Sequence, residues 1–419
     1  VRKLYEPCQC CGGHKTVSDH TFTNNFDDLI RKLADDVYNS QNNKHYSPEL
    51  VKETADELID AIKKGYGDIG ADWETPDHLM LEKLVENVFS FSAAKNYQQL
   101  QDITLTLVDE DGNLREFNDF RAAVEELGYK YNVDWLQTEY QTAVASATAA
   151  ARWVEYENEA DIFPMLQYQT VGDSRVRASH QLLDGITRHV NDDFWETYYP
   201  PNGWNCRCEA IQLPESDAQA TPTPLQLPPM QKMFKTNLSK TGLLFPKNHP
   251  YYDGVPKDVL RRAMQYLPED YAYRSRREYD EHAMLQHEPE AEENRAIAQL
   301  LGESGEKDIK LLPRLHEKET ELRKRLYGED YAENHPTKCP DAFIDGKPAE
   351  FKETGKNNMS KRVQQAATQA DTVVIKTKEV LTEGYIDMFI NGQWQLNDRK
   401  NIERIIIIND GKVLKFKRP

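Results

Sequence analysis

Five prolines fall within one 16-residue run, PESDAQATPTPLQLPP, from Pro214 to Pro229. Proline lacks an N–H and fixes φ, so such a run fits neither a helix interior nor a central strand. It predicts an extended linker over 213–232 and a chain of several domains, as 419 residues also require. The charge is divided as well. The whole chain carries 52 Lys and Arg against 70 Asp and Glu, a net of −18. Residues 341–419 alone carry 14 basic against 11 acidic residues, net +3, which leaves −21 for the first 340. That balance argues against a chain-wide nucleic-acid or anionic-membrane binder and leaves only the tail suited to a polyanion. The longest strongly apolar run is Ile405–Ile408, far short of the roughly 20 residues of a spanning helix.

The six cysteines stand at 8, 10 and 11, at 206 and 208, and at 339. Local clusters without a signal-peptide-like apolar stretch suggest a reducing compartment and metal binding rather than a disulfide framework. Cys8, Cys10, Cys11 and His14 resemble a zinc knuckle in composition. Cys206 and Cys208, with His180 at a distance, form a second zinc candidate, the alternative being structural packing.

Periodicity predicts helices over 26–65, 78–96 and 133–158, the last with an Ala-rich centre suited to close helix contact. A hairpin is expected over 104–117, turning at Asp111-Gly112. Residues 164–208 read as irregular α+β with an aromatic core of Trp195, Tyr198, Tyr199 and Trp204. Asp173, Arg175 and His180 read as a catalytic trio or as a hydrogen-bonded scaffold. One or two helices are expected within 250–300, and a break at 302–305. The expected divisions are a Cys-rich segment 1–20, a domain 21–212, the linker 213–232, a helical connection 233–305 and a domain 306–419.

In that last domain, a two-residue turn at Asp345-Gly346 sets Ile344 opposite Lys347 and Asp341 opposite Glu350. Lys352 lies two residues on, sharing their face, while Phe343, Ala349 and Phe351 are expected on the core side. Facing carboxylates repel, and a divalent cation, Mg²⁺ or Mn²⁺, relieves the repulsion. Such a cation can activate water for phosphodiester hydrolysis, with Lys352 stabilising phosphate charge. The plainer alternative is a solvated strand face with an ion pair. A helix over 311–328 would place Glu319 in a stripe with Leu315, Leu322 and Leu326, as a third metal carboxylate, with His316 beside it for proton transfer or simply as a surface histidine. His316 with Lys352 also admits a metal-independent ribonuclease reading. A helix capped by Ser360 and running to Ala370 would present Lys361, Gln365 and Gln369 to substrate, the plainer reading being a solvated face. DTVVIK reads as a strand, and IIIINDGKVLKF as a hairpin.

The order of a Glu-bearing helix, Pro340-Asp341, Glu350-Phe351-Lys352, a Gln-bearing helix and the VVI strand resembles the PD-(D/E)XK nuclease superfamily. The stretch 315–375 is similar to tRNase toxin domains of contact-dependent inhibition proteins. That resemblance implies an α/β fold over about 310–419, a tRNA or DNA substrate and an immunity protein as partner.

The run Asp173-Ser174-Arg175…His180, Leu183-Asp184-Gly185, Pro200-Pro201 and Asn205-Cys206-Arg207-Cys208 resembles Mu-F-type minor head proteins of tailed phages, over about 20–212. It implies portal and head proteins as partners, and a place in the virion head near the portal or in host cytoplasm. The fold class expected is thus multidomain α+β: a mainly helical phage-head domain, a proline-rich linker and a C-terminal α/β nuclease-like domain.

Overall fold

Among the residues that the computed structural model describes, 25–39, 46–67, 76–288 and 291–419, helices dominate the first part and sheet the last. The chain divides into two units, Val1–Leu267 and Pro268–Pro419. The cysteines and histidine at 8–14 lie outside the described residues.

Five long helices stand among the described residues of the first unit. α1 (Asn25–Tyr38) buries Phe26, Ile30, Leu33, Ala34 and Val37 along one stripe. The single helix expected over 26–65 is interrupted, because Ser47 and Pro48 start a new one. In α2 (Pro48–Tyr66) the Ser47 side chain accepts the Leu50 N–H, with Pro48 in the first turn. α3 (Pro76–Leu105) runs past the expected end, since Leu100 and Ile103 continue its buried face. It absorbs the start of the expected hairpin, of which one bridge, Val108 to Leu114, remains. There Asp109 Oδ1 accepts the Asp111 and Asn113 N–H groups.

α4 (Phe117–Tyr129) passes through a π-helical turn, Lys130–Trp135, into α5 (Leu136–Asn158). The Ala-rich centre of α5 does permit close contact. A Cβ on Gly65 of α2 would stand 2.3 Å from the Val144 carbonyl oxygen and 2.9 Å from Ala147 Cβ. Strands β1 (Met165–Gln169), β2 (Thr187–His189) and β3 (Glu209–Leu213) form an antiparallel sheet in the order β2-β1-β3. Trp153, Trp195 and Tyr199 pack on it with Leu166 and Tyr168. Trp204 departs from the expected aromatic group and meets the Phe234, Phe245 and His249 rings instead.

The proline-rich run has no regular structure, as proline dictates, yet it is strapped down. Thr221 exchanges hydrogen bonds with Thr187, and the Tyr198 hydroxyl donates to the Pro228 carbonyl. The chain after it stays in the first unit. Asn87, buried on α3, accepts the Leu244 and Phe245 N–H groups and donates to the Phe245 carbonyl. A buried Lys95–Glu139 ion pair is completed by the Tyr251 hydroxyl, which satisfies charges that would be costly alone.

The second unit is an eight-stranded sheet. Its strands are β4 (Tyr273–Ser275), β5 (Asp280–His282), β6 (Ile309–Leu311), β7 (Ala342–Ile344), β8 (Lys347–Thr354), β9 (Thr372–Thr377), β10 (Arg404–Asn409) and β11 (Lys412–Lys417), in the order β11-β10-β9-β8-β7-β6-β5-β4. The β8-β9-β10 centre is parallel. Parallel strands must be covered on both faces. On one face Ile297, Ala298 and Leu301 of the helix Ala291–Glu303 meet Ala349, Phe351, Val374 and Ile406. On the other, Met359 and Val363 of the helix Met359–Ala366 and Ile386 and Ile390 of the helix Glu383–Trp394 meet Val373, Ile375 and Ile405. Strands β4 and β5, and the helix between β5 and β6, thus lie in this unit, although the sequence suggested a helical connection ending at 305.

Candidate functional site

Two clusters of chemically active side chains stand out, one in each unit. The first grows from the β7–β8 hairpin. Asp345 and Gly346 adopt φ of +52° and +73°, the paired left-handed conformation of a tight two-residue turn. The register that follows is Ile344 to Lys347, Phe343 to Pro348 and Ala342 to Ala349. One step outward, the Asp341 N–H donates to the Ala349 carbonyl, which brings Asp341 beside Glu350. Alternation puts Phe343 on the Asp341 face, not the core side as expected; Ala342 and Ile344 take the core positions.

Asp341 and Glu350 are 5% and 1% exposed. Lys352 Nζ lies 3.3 Å from Asp341 Oδ2 and 2.5 Å from Glu350 Oε2. The Phe351 N–H also donates to Asp341 Oδ2, at 2.9 Å. Burial, and next the adjacent Asp341 charge, push the Glu350 pKa up to about 7. Burial draws Lys352 down, but the two carboxylates outweigh it and leave its pKa raised. Glu350 Oε1 is buried without a full hydrogen bond, while Gln369 makes a weaker favourable contact with the same carboxylate.

Of the residues expected around the hairpin, the structure joins Asp341, Glu350, Lys352 and Gln369. Among the others, Glu319, His316 and Gln365 have local partners of their own. The helix expected over 311–328 is confined to Thr320–Tyr327. Glu319 precedes it, and its Oε2 accepts the His316 N–H at 2.7 Å. His316 is exposed and its Nδ1 accepts the Lys318 N–H. Glu319 therefore forms no close three-carboxylate group with Asp341 and Glu350; among the described residues, one His/Cys/Asp/Glu trio has its ligand atoms within 4.8 Å of one another, and it lies elsewhere. The Gln-bearing helix ends at Ala366 and starts at Met359. Ser360 does not cap it; its hydroxyl accepts from Arg399. Gln365 accepts from Arg362, and Lys361 is exposed.

Three residues escaped the sequence reading. Arg323 is buried and donates to the carbonyls of Leu315, His335 and Lys338, which fixes the loop leading to Asp341. Tyr331 is buried with an unpartnered hydroxyl, and the Glu350 and Asp341 charges add to burial in raising its pKa. Arg314, exposed, comes within 3.8 Å of Asp341 Oδ1. A charge in a helix stripe and a lone tyrosine carry no motif, so only tertiary placement reveals them.

The second cluster is His180, Cys206 and Cys208. His180 Nδ1 lies 3.7 Å from Cys206 Sγ and 3.5 Å from Cys208 Sγ. His180 and Cys206 are buried and Cys208 is half-buried. Each thiol biases the other: Cys208, and then His180, hold the Cys206 pKa well down against burial, while Cys206 and burial push Cys208 up. Asp173 grips Arg207 through both carboxylate oxygens, each at 2.8 Å. That supports the scaffold reading of Asp173 rather than a catalytic trio with His180.

Residues 101–211 match the family described as Phage Mu protein F like protein. The chain is similar to the "Putative capsid assembly protein F" of Escherichia phage Mu, 39% identical over 107 residues, 26% of this chain and 22% of that one. It is also similar to the "Mu-like prophage FluMu F protein" of Haemophilus influenzae, 40% identical over 85 residues, 20% of each chain. The matched part spans about a fifth of the length of these curated relatives. No solved structure matches. The thiol–imidazole cluster lies inside the matched range, and the Asp341–Glu350–Lys352 cluster lies outside it. No described helix is long and apolar enough to cross a membrane.

Proposed function

We propose that this chain is a phage head morphogenesis protein whose C-terminal unit is a metal-dependent nuclease. The morphogenesis half is carried by the match of residues 101–211 to the Mu F family and by relatives named for capsid assembly. Head and portal proteins are then its partners and the virion its destination. The nuclease half is carried by one observation: a single hairpin sets Lys352 in contact with both Asp341 and Glu350.

The donor set fits a hard divalent cation, since two carboxylates adjoin and Glu350 Oε1 is buried without a full hydrogen bond. Asp341 and Glu350 would hold it. Mg²⁺ or Mn²⁺ bound there supplies Lewis acidity and an acidified water for attack on a phosphodiester. Lys352 keeps a positive charge beside both carboxylates, suited to a phosphate oxygen as negative charge grows. Gln369 orients Glu350. Arg314, exposed near Asp341, offers a guanidinium for a backbone phosphate.

The full chain is incubated with tRNA and, separately, with plasmid DNA, in Mg²⁺ or in EDTA. Cleavage of at least one substrate in Mg²⁺ alone is expected, with Glu350→Gln and Lys352→Met each slowing it by about 100-fold or more. Equal cleavage by wild type and Glu350→Gln, or none in any condition, contradicts the nuclease half. The second outcome favours a purely structural head protein, a reading to which the ion pairs of Lys352 with both carboxylates lend weight, because they balance the hairpin's charge without a metal.

A further inference from the structure

The irregular segment between β1 and β3 is long, polar and turn-rich, yet its atoms are held to a definite shape. Cys206 and Cys208 stand just before β3, and both sulfurs approach the His180 imidazole. Arg207, between them, is exposed. Arg207 is gripped there by Asp173. Asn205, with φ of +54°, turns the chain into this segment. On the sulfur side stands His180, from the short helix Ala178–Gln181. Arg177, just ahead of that helix, donates to the Trp204 carbonyl at 2.6 Å. Two charged tethers therefore hold the histidine helix against the cysteine segment independently of the sulfurs.

The spacing of the three ligand atoms is that of a coordination sphere. Zinc bonds sulfur at about 2.3 Å and imidazole nitrogen at about 2.0–2.1 Å, and tetrahedral angles then separate nitrogen from sulfur by about 3.6 Å. The observed separations are 3.7 and 3.5 Å. All three ligand atoms lie within 4.8 Å of one another, and no other group of three or more His, Cys, Asp or Glu among the described residues meets that limit. Two thiolates and an imidazole are the soft and borderline donors that select zinc over magnesium. Tyr168, whose hydroxyl donates to Asn202 Oδ1 at 3.0 Å, is buried beside Cys208 and helps to wall the site.

We propose that His180 Nδ1, Cys206 Sγ and Cys208 Sγ bind one zinc ion, which cross-links the 178–181 helix to the 202–208 turn. Water fills the fourth corner, on the side where Cys208 is half-exposed. The site stands apart from the nuclease reading, because it uses no residue of the second unit.

The test is the zinc content of the full chain, purified under reducing conditions after zinc supplementation and gel filtration. Because Cys8, Cys10 and Cys11 are also candidate ligands, a full-length variant with all three changed to Ser is measured in parallel. About one zinc per chain is expected in that variant, and it is lost on adding Cys206→Ser or Cys208→Ser but not Cys339→Ser. Loading with Co²⁺ gives a readout that needs no destabilising variant. Intense tetrahedral d–d bands with sulfur-to-cobalt charge transfer are expected in the Cys8/Cys10/Cys11 variant. Zinc that vanishes with the three N-terminal cysteines and is indifferent to Cys206, or octahedral cobalt without charge transfer, overturns the proposal.

Discussion

Glu350 is the residue on which the proposed chemistry of the second unit turns. Its ordinary value near 4.5 is pushed up to about 7, by burial and then by Asp341. A folded-state pKa above the unfolded one means that the folded chain holds a proton the unfolded chain has released. The associated stability is fully present below about pH 4.5 and is lost as pH rises through about 7. In EDTA, the unfolding free energy of the second unit should fall by about 3 kcal/mol between pH 5 and 8. Glu350→Gln should flatten that dependence, as read from urea melts at the two pH values. A wild type indifferent to pH, or a Gln variant that keeps the whole drop, would show that Glu350 is ionised in the fold already. Asp341 accepts the Phe351 N–H as well as Lys352, whereas Glu350 has Lys352 at Oε2 and keeps its Oε1 buried without a full hydrogen bond.

At the scale of elements, the hairpin could be read from the sequence because a local rule determines it. Asp345-Gly346 demands left-handed φ at two successive positions, and the register then places Asp341, Glu350 and Lys352 with no tertiary information. The hairpin at Asp410-Gly411 and the strand at Thr372–Thr377 were legible for the same reason. Glu319 was misplaced because Leu315, Leu322 and Leu326 suit a helical stripe, whereas the chain spends residues 316–319 on a side-chain-closed turn. Strands β4 and β5 are three residues each, too short for periodicity to mark. Their position makes a prediction. Since Ile297, Ala298 and Leu301 share a core with Phe351 and Ile406, a fragment 268–419 should melt cooperatively by circular dichroism. A fragment 306–419, stripped of β4, β5 and that helix, should not. Equal cooperative melts for both would mean that the added elements are dispensable decoration.

For the molecule as a whole, the proline-rich run looked like the joint between domains and is instead part of the first unit, with the chain dividing at Leu267. Composition reports that a segment is irregular, but not whether it packs; Thr221, Pro228, Asn87 and Tyr251 settle that through contacts distant in sequence. The family match ends at residue 211, so the proposed assembly role and the proposed hydrolytic role rest on separate stretches of chain. The second is the one in need of direct proof. Crystals of the full chain soaked in Mn²⁺ and measured at the manganese edge would supply it. The account predicts an anomalous peak bonded to carboxylate oxygens of both Asp341 and Glu350. No peak between those two side chains at saturating Mn²⁺, with Lys352 still bridging them, would contradict it.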